Sequence, residues 1–305
     1  MDIVPIPSQP VGVTHQADTV PSGKVSEECA EAEASITADP WDISSWHIYI
    51  HEIEEGRGGS EITPAQAYKK MLTYFPRAYK VWKAFAEYLI KQNDVDQAES
   101  TYAQGSDVCW SVELWHNYIL FLLDQYAILR TQHHKSKLES VQNMLEAYKT
   151  KCLGVFEVAT DRVGMMLDSM CIWRAYIDFI TATGADTSHT SAMTGGAEAI
   201  ELTKKLALLR KVYQKVCILS IDGSDLVWKE YEAFEKSRVG NVNPANPVVG
   251  EGLMVVAEGG ELHKQHLHAR SLLRERKRYL QNLVVDRYAT PPSSSPSEGM
   301  LPHGV

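Results

Sequence analysis

Three groups of histidines have a residue type and spacing that could bind a metal. His47 and His51 are separated by three residues, as in zinc-binding helices, and histidines cluster in "HHK" (133–135) and "HKQHLH" (263–268). A zinc site needs three or four ligands, and neither a third ligand nor a catalytic glutamate accompanies His47 and His51. The pattern favours a solvated helix face for this pair. The sequence predicts that none of the three histidine groups binds a metal, and it predicts no cofactor site elsewhere in the chain.

Patterns for nucleophilic catalysis and nucleotide binding are equally weak. The five cysteines are widely spaced without a CxxC, which favours free thiols in a reducing compartment. A cysteine nucleophile needs a histidine partner that the sequence does not show, so Cys171 and Cys217 are interpreted as small packed residues. "GRGG" (56–59) and "GEG" (250–252) follow no strand, and no GxSxG occurs. We therefore predict a protein that is not an enzyme.

The strongest candidate for a charged binding site is the basic run "ARSLLRERKR". Arg270, Arg274 and Arg278 recur at every fourth residue, so on a helix they form one basic ridge. The whole chain has a net charge of −9, so no global basic field attracts phosphate. The first interpretation of the ridge is a solvated face or a contact with an acidic protein partner. Direct RNA binding is the alternative.

Aromatic residues at helical spacing indicate the elements that carry these side chains. In "CIWRAYIDFI", Trp173, Tyr176, Ile177 and Ile180 occupy i, i+3, i+4 and i+7, which share one helix face. A similar pattern occurs five times, which favours a repeated packing face over a single ligand site. Each such aromatic can bury about 150–250 Å². We predict a repeat core of Trp46, Tyr49, Trp82, Phe85, Trp115, Tyr118, Trp173, Tyr176, Trp228 and Tyr231.

A second amphipathic segment follows each aromatic helix, and no convincing strand pattern interrupts them. The spacing from Trp46 to Trp82 and on to Trp115 matches a helix–turn–helix repeat. The longer spacings beyond Trp115 indicate insertions, of which residues 124–150 look helical. The sequence therefore predicts an all-α superhelical solenoid of about five helix pairs.

Local signals predict where some of these helices begin and end. Asp39 or Asp42 is expected to cap the first aromatic helix, and Thr63, which precedes a proline, is expected to cap its partner. Pro76 and Gly105 are expected to stop helices.

Composition divides the chain into three parts. Residues 1–40 form an acidic, proline-containing extension that we predict to be disordered, with a nascent helix at its end as the alternative. The repeat domain is predicted over 41–289, with loops at 181–197 and 238–262, and 290–305 reads as a Pro/Ser linker or tail. No membrane span and no secretory signal is predicted, so the sequence indicates a cytoplasmic or nuclear protein.

The aromatic helices resemble the half-a-tetratricopeptide (HAT) repeat, whose first helix carries Trp-x-x-Tyr-x-x-Phe-Glu. "WKEYEAFE" (228–235) fits this motif fully. In the other four copies Ile53, Leu89, Leu122 and Ile180 replace the glutamate. HAT repeats occur mostly in RNA-processing scaffolds, so the resemblance implies a scaffold.

The order of motifs and inserts over residues 41–289 is similar to the amino-terminal HAT domain of the suppressor-of-forked family, which is cleavage stimulation factor subunit 3. "DVCWSVELWHNYILFLLDQY", "FEVATDRVGMMLDSMCIWRAYIDFI" and "LALLRKVYQKVCILSIDGSDLVWKEYEAFE" carry this resemblance. It implies a nuclear scaffold of pre-mRNA 3′-end cleavage and polyadenylation. The implied partners are other subunits of cleavage stimulation factor and of the cleavage and polyadenylation specificity factor.

The resemblance also implies an oligomeric state. In that family a second HAT domain builds the dimer, and this sequence stops in the linker before it, so we expect a monomer. Contact with RNA is expected to be indirect. Two alternatives stay open: a splicing or ribosome-biogenesis HAT scaffold, and an RNA-binding protein that uses the 270–278 ridge.

Overall fold

The computed structural model describes residues 25–59, 62–136, 138–183, 197–239 and 256–288. These residues form eleven α-helices and contain no strand, so the predicted all-α class is confirmed. In chain order the helices are α1 (Glu27–Ala38), α2 (Ile43–Glu54), α3 (Pro64–Tyr74), α4 (Tyr79–Lys91), α5 (Val95–Val108), α6 (Val112–Ser136), α7 (Glu139–Val163), α8 (Met170–Ala182), α9 (Ala197–Cys217), α10 (Ser224–Val239) and α11 (Glu261–Tyr288).

The helices fall into two compact units, Met1–Cys109 and Trp110–Val305. Within each unit every helix packs against the next one along the chain, which is the contact pattern of a helical repeat. The five aromatic helices are α2, α4, α6, α8 and α10, and each is followed by a partner helix. The predicted five HAT-type helix pairs are therefore confirmed.

A helix precedes the first predicted pair, in the extension that was predicted to be disordered with a nascent helix only as the alternative at its end. Helix α1 packs against α2 and buries Cys29, Ala32 and Ile36. These residues follow the helical period, so they form one narrow apolar face. The predicted disorder is wrong for residues 27–38, while residues 1–24 lie outside the described part of the chain.

A buried carboxylate fixes the start of α1 to the end of α2. Ser26 caps α1 and donates a hydrogen bond of 2.7 Å to Glu52 Oε2. Arg57 donates to the same carboxylate from Nε at 2.9 Å and from Nη2 at 2.7 Å. The hydrogen bonds from Arg57 and then from Ser26 lower the pKa of Glu52 to about 2. Glu52 is therefore ionised at neutral pH and holds both segments.

The predicted helix boundaries are confirmed at most positions. Asp42 caps α2 and accepts a hydrogen bond of 3.0 Å from Ser44 N. Thr63 forms a capping box at the start of α3, and that helix ends just before Pro76. Gly105 does not stop α5, which continues to Val108.

Gly105 is needed for packing rather than for helix termination. It is buried inside α5, and a Cβ atom at this position would lie only 2.7 Å from Cγ of Trp82. The glycine lets the indole of α4 approach the backbone of α5, since any larger residue would push the two helices apart.

The third pair has the long helices that its insertion predicts, because α6 and α7 have 25 residues each. The predicted loops at 181–197 and 238–262 lie between consecutive helices of the second unit. Their interiors, residues 184–196 and 240–255, lie outside the described residues, as does the predicted tail at 290–305. Within the described ranges, no helix combines the length and the apolar character that a membrane span requires.

Candidate functional site

The aromatic residues of the repeat core lie on the faces where consecutive helices pack. Nine of the ten are buried, and Trp82 is half-buried. Phe156 of α7 stacks on Tyr176 of α8, with ring centroids 4.6 Å apart. Tyr213 of α9 stacks in the same way on Tyr231 of α10 at 5.3 Å. These rings are therefore used for packing between helices.

Several of the tryptophans also form a hydrogen bond to the segment that precedes their helix. The indole Nε1 of Trp46 donates to the carbonyl of Pro40 at 2.9 Å. Trp82 donates to the carbonyl of Pro76 at the same distance, and Trp173 binds a carbonyl at the end of α7. A phenylalanine would pack but could not donate, so this bond accounts for tryptophan in these three repeats. Trp228 Nε1 donates instead to Glu232 of its own helix, and Trp115 Nε1 is buried with no hydrogen-bond partner among the described residues.

The glutamate that completes the HAT motif in one repeat, Glu235, is buried and ion-paired. Its carboxylate accepts hydrogen bonds from Arg210 Nε at 2.7 Å and from Arg210 Nη2 at 3.0 Å. This two-point pair joins α10 to α9. The corresponding residues of the other repeats are buried and apolar: Ile53, Leu89, Leu122 and Ile180.

His266, from the histidine-rich run, lies inside the last helix pair. It is 2% exposed, and its ring stacks on Trp228 with centroids 4.6 Å apart. Its Nδ1 lies 2.8 Å from the Cys217 carbonyl, and its Nε2 lies 3.5 Å from Asp225 Oδ1. Burial is the main cause of a lowered pKa at His266. Sequence reasoning missed this core position. The available signal was that His266 and the buried Ala269 are at i and i+3, which share one helix face.

Stability should therefore fall at acidic pH through His266. In the unfolded chain its pKa returns to about 6.5, so the contribution of the neutral ring is complete above that value. It is lost as pH falls below about 6.5 towards the lowered folded pKa, because only the unfolded state then gains the proton. We expect hydrogen exchange in α11 to speed up between about pH 7.5 and pH 5.5, after correction for the intrinsic pH dependence of exchange.

Matched variants separate this residue from other titrating groups. The groups that face it are Asp225 on α10 and Arg270 and His263 on its own helix. His266→Phe keeps an aromatic ring on Trp228 but cannot titrate, so it should weaken the pH dependence. His268→Gln, at an exposed position, should leave it unchanged. Equal pH dependence in all three proteins would contradict the assignment.

The predicted basic ridge is divided into bound and exposed residues. Arg270 Nε lies 2.6 Å from Asp225 Oδ1 and so is used inside the protein. Arg274 and Arg278 are exposed and make no hydrogen bond or ion pair with the described residues. The structure therefore leaves two of the three arginines available for an external phosphate or carboxylate.

Two other cations of the same run anchor α11 to the turn between α9 and α10. Arg276 Nη1 donates to the Ser220 carbonyl at 2.7 Å, and Lys277 forms an ion pair with Asp222. Sequence reasoning could not separate these residues from Arg274 and Arg278, because the separation depends on which side of α11 faces the preceding turn.

The other candidate groups are dispersed. His47 and His51 are both exposed on α2, and no three His, Cys, Asp or Glu side chains of the described ranges are grouped as metal ligands. All five cysteines are free. Cys217 is fully buried, and burial raises its pKa to about 12. Cys171 is only partly buried, so its interpretation as a packed residue is only partly correct.

The glycine motifs form no phosphate-binding site among the described residues. "GRGG" lies in the turn after α2, where Arg57 binds Glu52. "GEG" (250–252) lies outside the described part of the chain.

The five tryptophan-bearing helix pairs, one of them with the complete Trp-x-x-Tyr-x-x-Phe-Glu motif, define a HAT-repeat protein. The chain belongs to the suppressor of forked protein family (Suf), whose model matches residues 27–300. That match begins at the first residue of α1. The first helix therefore lies within the region that matches the family.

Three relatives show how much of a longer protein the chain covers. It is 25% identical to Protein suppressor of forked of Drosophila melanogaster over 89% of this chain and 30% of the relative. It is 27% identical to mRNA 3′-end-processing protein rna-14 of Neurospora crassa over 75% of this chain and 18% of the relative. It is 26% identical to Cleavage stimulation factor subunit 77 of Arabidopsis thaliana, over 76% and 26% respectively. The chain thus spans less than a third of each.

Proposed function

We propose that this chain is a non-enzymatic scaffold of the pre-mRNA 3′-end cleavage and polyadenylation machinery. The observation that carries the proposal is the family match over residues 27–300, which covers all five helix pairs. Relatives named as an mRNA 3′-end-processing protein and as a cleavage stimulation factor subunit support it. Stacked helix pairs suit such a role, because they bury one face of each helix and present the other to partners.

The proposed partners are the other subunits of cleavage stimulation factor and of the cleavage and polyadenylation specificity factor, in the nucleus.

We propose that the chain alone is a monomer, since a net charge of −9 opposes self-association. Light scattering should then give a mass near 34.2 kDa. A stable two-chain mass would show an interface between copies.

Affinity purification of the tagged chain from nuclear extract of its source tests the proposal. We expect mass spectrometry to recover subunits of both 3′-end-processing factors, before and after nuclease treatment, because the contacts are with protein. Recovery of splicing or ribosome-biogenesis proteins in their place would support the alternative scaffold and overturn the proposal.

Direct RNA binding is the second candidate function, and the exposed Arg274 and Arg278 favour it. Two phosphate contacts would give RNA binding a shallow salt dependence, which the variant Arg274→Glu/Arg278→Glu would remove. If this variant binds RNA as the unchanged chain does, the last helix is not an RNA site.

A further inference from the structure

A cleft of about 690 Å³ opens between α6, α7, α8 and α9 in the second unit. Its apolar lining includes Leu145, Leu153 and Ile180 from two of these helices. Tyr126 of α6 completes the floor and packs edge-on against Phe179, with ring centroids 5.3 Å apart. The cleft therefore offers a preformed apolar floor large enough for several side chains.

The rim of this cleft is more positive than the chain as a whole. Lys149 Nζ lies 3.4 Å from a carboxylate oxygen of Glu146 and 3.7 Å from one of Glu201. Lys205 donates to the carbonyl of Thr181 at 2.8 Å, near the end of α8. Among the lining residues that the structure describes, four cations against two carboxylates give a positive excess in a chain of net charge −9. The cations are Arg130, Lys149, Lys204 and Lys205.

We propose that this cleft docks an acidic segment of a partner protein, whose apolar side chains enter the floor. Charge complementarity argues for an acidic occupant, since opposite potentials steer association and fix register. The arrangement of an apolar centre inside a charged rim is that of a protein interface. A small-molecule site would place its polar groups deeper, converging on the ligand.

The cleft is poorly suited to RNA. Its described lining has one large aromatic ring, Tyr126, which is already packed edge-on against Phe179, and so does not supply the row of rings on which bases stack. Glu146 and Glu201 would also face the phosphates. The inference rests on the proposed scaffold function, because it assigns that scaffold a docking surface and the chemistry of the segment that binds there.

Lys204 provides a clean test. It is exposed on α9 and makes no hydrogen bond or ion pair with the described residues, so Lys204→Glu should reverse a rim charge without disturbing the fold. Random displayed peptides of about 16 residues, roughly four helical turns, are selected against the unchanged chain. We expect enrichment of peptides that combine Asp or Glu with Leu, Ile or Phe.

The best selected peptide is then labelled and titrated by fluorescence anisotropy. Lys204→Glu should bind it about tenfold more weakly, and raising NaCl from about 50 to 300 mM should also weaken binding. Leu202→Asp, at the apolar edge of the cleft, should lose binding too. Lys211→Glu is the matched control, because Lys211 is exposed on the same helix outside the cleft. Circular dichroism checks that all variants fold.

Several outcomes would overturn the inference. The first is enrichment of basic peptides or of no peptide. The second is equal binding of the selected peptide to Lys204→Glu and Lys211→Glu. The third is preferential binding of a single-stranded RNA, if Lys204→Glu abolishes that binding. A Lys204-dependent dimer in the ultracentrifuge would assign the cleft to a second copy.

The result is separable from the proposed function. If the cleft fails while nuclear purification still recovers 3′-end-processing subunits, only the cleft assignment is wrong. If the cleft binds acidic peptides but those subunits do not co-purify, the proposed function is wrong and the docking surface stands.

Discussion

Replacing Arg210 by methionine is expected to lower the free energy of unfolding by about 3–5 kcal/mol. The Glu235 side chain is fully enclosed, so the substitution leaves its carboxylate buried without the paired arginine. Such a charge has lost its hydration and keeps only its hydrogen bond with Tyr231, which costs more than the lost attraction alone. Urea unfolding followed by circular dichroism, together with hydrogen exchange in α9 and α10, measures the change.

The double variant Arg210→Met/Glu235→Leu is the control for this interpretation. It gives the fifth repeat the apolar residue that the other four already bury at this position. Removing both charges should recover most of the stability lost in either single variant. If the double variant is as unstable as the sum of the two single ones, Glu235 and Arg210 act independently and the pair does not explain the motif glutamate.

The recurrent aromatics were sufficient to predict the helix class and the five pairs, because burial of one helix face leaves a period in the sequence. Trp46, Trp82 and Trp173 each lie on such a face. Their hydrogen bonds to preceding carbonyls depend on how the chain turns between helices, which the period does not contain.

The first helix shows where composition is a poor guide. "EECAEAEASITA" is acidic and has few large apolar residues, so it resembles a disordered extension. Its narrow face of Cys29, Ala32 and Ile36 becomes a packing surface only because α2 lies against it. The pairing with α2 decides the structure of this segment, and propensity alone does not.

The charged residues show the same limit at the candidate site. Arg270, Arg274 and Arg278 have equal spacing in the sequence, yet only the first faces Asp225. The cleft in the second unit is built from four helices whose cations lie far apart along the chain, from Arg130 to Lys205. No local motif could have indicated that they share one rim.

Replacing Trp173 by alanine should lower the free energy of unfolding by about 3–5 kcal/mol. The indole is 2% exposed, and its Nε1 donates to the Gly164 carbonyl at 2.9 Å. Gly164 is close-packed against it, since a Cβ atom there would lie 2.9 Å from Trp173 Cζ2. Alanine would leave a cavity that the end of α7 cannot fill without moving.

A local measurement is required because a repeat protein need not unfold in one step. Hydrogen exchange of α8 should therefore be followed beside urea unfolding. Trp173→Phe should lose less stability than alanine, because it keeps most of the apolar contact and the Gly164 carbonyl still accepts a hydrogen bond of 2.7 Å from Ser169 Oγ.

Trp110→Ala is the matched control, since that indole is 68% exposed and its loss should change stability by no more than about 0.5 kcal/mol. The comparison separates the two interpretations of the aromatic stripe, which is the helix face of Trp173, Tyr176, Ile177 and Ile180: a packing surface or a ligand site. Replacing a core tryptophan lowers stability and every property that depends on the fold. Replacing a ligand-binding tryptophan lowers binding alone. If Trp173→Ala keeps the stability and exchange protection of the unchanged chain but loses a partner, the stripe is a binding surface and the repeat-core assignment is wrong.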